Sequence, residues 1–494
     1  MMAIMKISES KGLEADAVLA LFLFDKQDVS DHPFVRGLSK EDREFLSNFK
    51  KRTEFKGVFS HLVFLPSGRR VFLLGQGDGK KFDFRKSLLA MRRAVAEARR
   101  AKIKSLEVCA EDFATGRESD PKMLAEAIAT QAELANFEFL KYKTEGKEAK
   151  GSVEVIHVYS SRKSIEKALA RGKAIGEEIN EARVLANTSG GDMTPATLAA
   201  HAVALGKTRG IRVKVLDEKE MKRIGMGAIL GVAQGSSTPP RFIVMEYLKG
   251  KKKDQPVVLV GKGITFDTGG LNLKPSQSIY EMHMDMTGGA VVIHTIAALA
   301  RLGAKCNVVG LIPAAENMVS GSSYRPGDVL KSLSGKTIEI LNTDAEGRVV
   351  LADGLTYAQK QYSPRLVVDV ATLTGAAMVA LGQRASALFA TDERLARTFR
   401  EFGEKTGDYV WPLPLWEEYE EEVRGTFGDV ANVGKYDRMG GAIMGAVFLW
   451  QFIKGTPWVH LDIAPRMTSI EGDYLAKGAT GSPVNLLVHL LETF

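Results

Sequence analysis

Along the first 160 positions the apolar residues fall in short runs, AVLALFLF (17–24), HLVFLP (61–66), RRVFLLG (69–75), SLEVCA (105–110) and VEVIHVYS (153–160). Runs of this length read as strands. Between them, 84–101 and 121–136 place apolar residues such as Leu88, Met91 and Val95 at helical spacing. The pattern predicts a smaller N-terminal α/β domain over 1–161. Segment 162–187 is helical by composition and period and ends at TSGGDMTP, so a connecting helix is expected there. A second series fills 188–494. It has a helix at 195–208 and strands at IRVKVLD, RFIVMEY, PVVLVG, CNVVGLIP, TIEILN, RLVVDVA and WVHLDI. Near-continuous apolar runs separated by helical segments predict a larger C-terminal α/β domain with a mostly parallel central sheet covered on both faces.

Composition narrows the setting. At 494 residues, 45% hydrophobic and 26% charged, the chain is globular in type and long enough for two domains. Cys109 and Cys306 are its two cysteines, too few and too far apart for a disulfide scaffold or a thiolate zinc site. The N-terminus has no basic start followed by an apolar block and cleavage site, and LVVDVATLTGAAMVALG carries Asp369 and is short for a bilayer. A cytoplasmic protein without membrane association is expected. The net charge is +7, and residues 51–104 hold 15 Lys and Arg against 4 Asp and Glu. Such a block can attract nucleic acid, although a solvated helix face accounts for it and no nucleic-acid motif accompanies it.

The chemistry concentrates at the ends of predicted strands. After KTIEIL comes NTDAEGRVV, in which Asp344, Glu346 and Arg348 alternate among small residues. In extended backbone these three side chains would point to one side. After PVVLVG comes KGITFDTGGLNLKPS, with Lys262, Asp267 and Lys274, and then EMHMDMTGGA, with Asp285. Ligands of open α/β sheets bind beyond the carboxyl ends of the strands. Four carboxylates gathered there repel one another unless larger positive charges hold them. An ion-pair network with Lys262, Lys274 and Arg348 is one solution. A pair of divalent ions is the other, favoured by the flanking glycines, which open space that a structural network does not need.

KGITFDTGGLNLKPS, MDMTGGA, PAAENMVSG, RPGDV and above all NTDAEGRVVLADGL resemble the signature segments of the leucine aminopeptidase, or cytosol aminopeptidase, family of dinuclear metallopeptidases. ATLTGA, PLPLWEEY, DVANVG, GGAIMGAVFL, HLDIA and GATGSPV follow in the family's order. The resemblance is detailed over residues 180–494 and loose before them. It implies two divalent ions per subunit, Mn or Zn and in some settings Mg, with Asp267 and Glu346 bridging them, Asp344 completing one ligand set, and Lys262 and Asp285 the other. Lys262 must then be neutral, with its pKa strongly lowered by the adjacent divalent ion. The resemblance also implies that Lys274 polarises the scissile carbonyl and that Arg348 holds a bicarbonate ion acting as general base on a metal-bridging water. Met282, Asn342, Thr372 and Gly375 would line the substrate pocket with Lys274. The expected reaction removes N-terminal residues, leucine-like ones first, from peptides with a free amine, and the expected assembly is a homohexamer.

The chain departs from the family pattern at three places. His283 stands where Lys or Arg is commoner, Leu271-Asn272 replaces the commoner Ile-Ser, and NTSGGDMTP replaces an asparagine-proline turn. The first raises a supporting or direct role at the metals for His283. The second bears on substrate preference. Some bacterial members of the family bind DNA, so a DNA-binding architectural role is the alternative that the basic 51–104 segment motivates.

Overall fold

The computed structural model describes residues 5–52, 56–115, 120–145, 151–161, 164–436 and 439–494. Two compact units emerge, one running to Asn180 and including Ile470–Ala476, the other Glu181–Ser469 with Lys477–Phe494. Their boundary falls inside the helix Glu166–Asn187. Arg162 and Lys163, where that helix was expected to start, lie outside the described residues.

The first unit is a six-stranded sheet whose strands pair parallel except the edge strand Ser60–Phe64. The five apolar runs form strands, and Val18–Phe24 is buried along nearly its whole length because helices cover both faces. The polar strand Lys6–Ser10 pairs at the edge and carries no apolar signal in sequence. The basic helix Phe84–Arg100 is only partly a solvated face. Arg93 is buried and donates to the Gly75 carbonyl at 2.6 Å, and Arg99 bonds the carbonyls of Gly151 and Ala135 and pairs with Glu138 at 2.7 Å.

The second unit is built on a nine-stranded sheet. Its centre, Val257–Gly261, Leu366–Ala371 and Trp458–Asp462, runs parallel and is buried throughout. Removing each such Val, Leu or Ile side chain from water contributes about 1.5–3 kcal/mol. Asn307–Asn317 continues the parallel set on one side and pairs antiparallel with Arg241–Leu248 on the other. The helices Thr287–Leu302 and Glu346–Tyr362 lie against this central sheet, and both begin in the region where the acidic residues gather.

Two expectations fail here. TIEILN does not join the main sheet: Thr337–Glu339 pairs with Val329–Lys331 and Val430–Ala431 in a separate three-stranded sheet. NTDAEGR is not extended either. Residues 343–344 form a turn and Glu346 opens a helix, so Asp344 and Glu346 come together through a turn and the first turn of a helix, not through strand alternation, while Arg348 reaches the Asn432 carbonyl instead.

Candidate metal centre

Lys262 occupies the break between the consecutive strands Val257–Gly261 and Gly263–Asp267. Its backbone is fixed on both sides, N–H to the Val370 carbonyl at 3.0 Å and carbonyl to the Gly289 N–H at 2.7 Å. The side chain is buried, with Nζ 2.8 Å from Asp285 Oδ2, 2.8 Å from Glu346 Oε1 and 2.9 Å from the Thr372 carbonyl. A Cβ at position 347 would stand 2.6 Å from Nζ, so the glycine of NTDAEGR makes room for this amine. Asp267 ends its strand, and its Oδ2 lies 2.8 Å from Lys274 Nζ, which also approaches Asp344 Oδ1 at 2.5 Å. Gly269 and Gly270, at φ 87° and 64°, turn the chain tightly against the acidic loop; a Cβ on Gly269 would meet Asp344 Oδ1 at 2.8 Å.

The cluster is elongated. Asp267, Asp344 and Glu346 each offer an oxygen within 4.8 Å of the others, Lys274 sits at their end, and Glu346 reaches through Lys262 to Asp285 at the opposite end. Four carboxylates against two ammonium groups leave a formal excess of two negative charges. Arg348 forms no ion pair with these acids and acts on Glu346 and Asp344 only through space: its Nη1 donates to the Asn432 carbonyl at 3.0 Å, and among the described residues its buried Nε has no hydrogen-bond partner.

Electrostatics follow the crowding. Burial, reinforced by Glu346, raises Asp267 well above the ordinary range against the pull of Lys274. Burial pushes Asp285 up to about 7 despite Lys262. It also raises Asp344, the most open member with 36% of its side chain exposed. Glu346 behaves in the opposite sense, since Lys262 and Lys274 together outweigh burial and hold it below its usual value. Burial opposes the charge on Lys262, but Asp285, Glu346 and Asp267 outweigh it and raise the amine above its usual value. The lowered value expected for Lys262 therefore does not arise from the chain's own groups, which retain its proton.

The donor set fits divalent ions. Its oxygens are hard ligands, the acids outnumber the cations, and Glu346 Oε2 is buried without a hydrogen-bond partner. His283 is half-buried, outside the carboxylate group, with burial lowering its pKa. Of the four expected pocket residues, Thr372 uses its hydroxyl on Asp285 Oδ1 at 2.7 Å and its carbonyl on Lys262. The Asn342 side chain accepts the Asp344 N–H at 2.8 Å. Met282 is half-buried in the short turn Met282–Met284, and Gly375 opens a helix with free space around its Cα.

Sequence reading missed Asn432, which brackets the acidic loop by accepting from Leu341 N–H at 2.9 Å and donating to the Asn342 carbonyl at 2.6 Å. It lies in DVANVG, one of the resembling segments, but its partners are about 90 positions away, so nothing local reveals this role.

A mostly parallel α/β sheet with this oxygen-rich cluster at its strand ends has the architecture and ligands of a metal-dependent hydrolase. Comparisons with known proteins make it specific. Residues 180–488 match the cytosol aminopeptidase family, catalytic domain, and residues 20–146 match that family's N-terminal domain. A probable cytosol aminopeptidase of Aromatoleum aromaticum is 47% identical over 438 residues, 86% of this chain and 85% of the relative. One from Methylobacillus flagellatus is 39% identical over 479 residues, 95% of each. Among solved structures, the bottromycin maturation enzyme BotP in complex with Mn superposes with a TM-score of 0.84 at 33% identity, covering 97% of this chain and 99% of that one. The chain belongs to the cytosol aminopeptidase family and is a metal-dependent aminopeptidase.

Proposed function

We propose that this aminopeptidase works through two divalent ions, Mn²⁺ or Zn²⁺, held by Lys262, Asp267, Asp285, Asp344 and Glu346. The excess of buried acid, with Glu346 Oε2 left unpartnered, is the observation that carries this reading. When bound, the ions neutralise the carboxylates and supply Lewis-acid activation of water and of the peptide carbonyl. Glu346, between the two lysines, and Asp267 would be shared by the two ions, with Asp344 completing the set at the Lys274 end and Lys262 and Asp285 completing the other. Because the surrounding acids hold the Lys262 proton, ligation by its amine is coupled to loss of that proton.

Lys274 keeps its charge: burial opposes it, but Asp267, Glu346 and Asp344 outweigh burial and raise it further. A fixed ammonium at the open end of the cluster stabilises an oxyanion as it develops on the scissile carbonyl. Arg348, buried and with Nε free of partners, would hold the bicarbonate base. Met282 is apolar and half-buried, and a Cβ at Gly375 would meet nothing within 4 Å; both suit an apolar N-terminal side chain, so leucine-like residues are the first choice of substrate. Assembly as a homohexamer is the expected quaternary state, with exposed apolar side chains such as Trp416 and Phe427 available to an interface; sedimentation at equilibrium reads it, and a monomer at working concentration ends that part of the proposal.

The test is hydrolysis of leucine p-nitroanilide beside its N-acetylated form by chelated protein with and without Mn²⁺ or Zn²⁺. Metal-dependent cleavage of the free-amine substrate alone, reduced to background in Glu346→Gln, is expected. Equal cleavage of the acetylated compound, or full activity in Glu346→Gln, overturns the reading.

A further inference from the structure

The loop that carries Asp267 and Lys274 and the loop that carries Asp344 and Glu346 meet at Thr343, which is fully buried. Every polar atom of Thr343 is engaged there. Its N–H donates to Asn272 Oδ1 at 2.9 Å, while the Asn272 N–H donates to Thr343 Oγ1 at 2.9 Å, a reciprocal pair between residues 71 positions apart. The hydroxyl hydrogen goes to the Gly269 carbonyl at 2.6 Å. The Thr343 carbonyl accepts from Asn317 Nδ2 at 2.9 Å and from the Tyr324 hydroxyl at 2.7 Å. Asn317, also fully buried, uses its other amide hydrogen on Asp267 Oδ1 at 2.8 Å. That oxygen also accepts the Gly269 N–H at 2.8 Å, leaving Oδ2 to face Lys274.

From this geometry we infer that Asn272 and Asn317 are positioning residues, which tie the two acidic loops together through Thr343 so that the ligand set is assembled before any ion arrives. The inference rests on the metal-centre reading proposed above. Like-charged loops repel, and the cross-links oppose that repulsion with directional bonds in a water-poor setting. Asn272 stands where serine is the commoner residue in the family's pattern. A serine side chain ends one atom before the amide oxygen that answers the Thr343 N–H. Asn272 is an exposed residue whose side-chain oxygen is nonetheless committed to the neighbouring loop. Its role is therefore to preorganise the ligands through Thr343 and Asn317, the latter bonded directly to Asp267; groups bonded directly to metal ligands typically contribute a factor of about 10–100 in affinity, which sets the scale expected here.

The experiment is calorimetric titration of chelated protein with Mn²⁺, for wild type, Asn272→Ala and Asn272→Asp, followed by kcat and KM at saturating Mn²⁺. Asn272→Ala is expected to bind Mn²⁺ about 10–100-fold more weakly and, at saturation, to show a lower kcat with KM little changed. Asn272→Asp retains the acceptor and is expected to bind at least as tightly as wild type. Unchanged affinity in Asn272→Ala overturns the inference, as does an equal loss in both variants. Should Asn272→Ala melt below the assay temperature, Thr343→Val removes the hydroxyl with similar volume, and the same readout decides. Failure of the metal reading shows separately, as a wild type that binds Mn²⁺ no better than Glu346→Gln.

Discussion

Glu107 and Glu346 are both glutamates sealed from solvent, at 0% and 1% exposure, and their surroundings treat them in opposite ways. Glu107, on the strand Ser105–Cys109 of the first unit, is hydrogen-bonded by neutral groups, the Ser10 hydroxyl at 2.6 Å and the Glu14 N–H at 2.9 Å, with the Glu14 carboxylate and His157 acting on it only from a distance and in opposite senses. Burial raises its pKa. The Ser10 hydroxyl also lies 2.5 Å from the Gly12 carbonyl, and one hydrogen cannot serve both oxygens. A protonated Glu107 that donates to Ser10, which in turn donates to Gly12, satisfies the whole chain. Glu346 instead has Lys262 at 2.8 Å on one oxygen, nothing on the other, and two lysines holding it ionised. A buried acid that its neighbours can neutralise is part of the fold. One kept ionised among surplus acids points to a partner from outside.

Exchange of carboxyl for amide separates the two most sharply, and the largest effect is the loss of metal-dependent cleavage in Glu346→Gln. Next comes Lys274→Ala, which removes the cation but no carboxylate. A fall of roughly 10²–10³-fold in kcat is expected, with Mn²⁺ binding retained. Loss of Mn²⁺ binding in calorimetry would make Lys274 part of the ligand scaffold instead. Smaller again is the response of the folded protein to the ions. At 100 times its dissociation constant, Mn²⁺ should stabilise the second unit by about 2.7 kcal/mol. Denaturant unfolding of chelated and Mn²⁺-loaded protein measures it, and an equal increment in Glu346→Gln would detach the stabilisation from this cluster.

The fold was legible where burial is two-sided, as at PVVLVG and RLVVDVA, because a strand covered on both faces writes an unbroken apolar run. It was illegible where other constraints rule. KISES pairs at an edge with almost no apolar content, the strand Val410–Pro412 is only three residues long, and TIEIL is apolar because it supports a small side sheet. At the centre, acids and lysines among glycines identified which residues gather, since little but a site places such residues together at strand ends. The way they gather was not legible. Alternation in an extended chain and a turn entering a helix bring Asp344 and Glu346 to similar places, and the helical pattern of VVLADGL begins just after the residues in question. Asn272, Asn317 and Asn432 lie in segments the sequence singled out, yet their bonding roles were out of reach, because each acts on a partner 26 to 90 positions away.

The smallest expected effect tests the other half of the comparison. In Glu107→Gln the amide nitrogen can donate to Ser10 Oγ and the amide oxygen can accept the Glu14 N–H, the same bonds that a protonated Glu107 makes. At pH 4 the variant should lie within about 1 kcal/mol of wild type. The folded pKa of Glu107 is raised, so its contribution to stability is complete below its ordinary value of 4.5 and is lost as pH rises through the folded value. Glutamine does not titrate. The variant should therefore become the more stable of the two as pH rises toward 8, with Mn²⁺ affinity and leucine p-nitroanilide cleavage unchanged. Denaturant unfolding at the two pH values reads the sign. A variant that is less stable than wild type at pH 8 would show that Glu107 is held as a buried anion, and the contrast with Glu346 would then rest on the number of neighbouring acids rather than on the charge state of the glutamate.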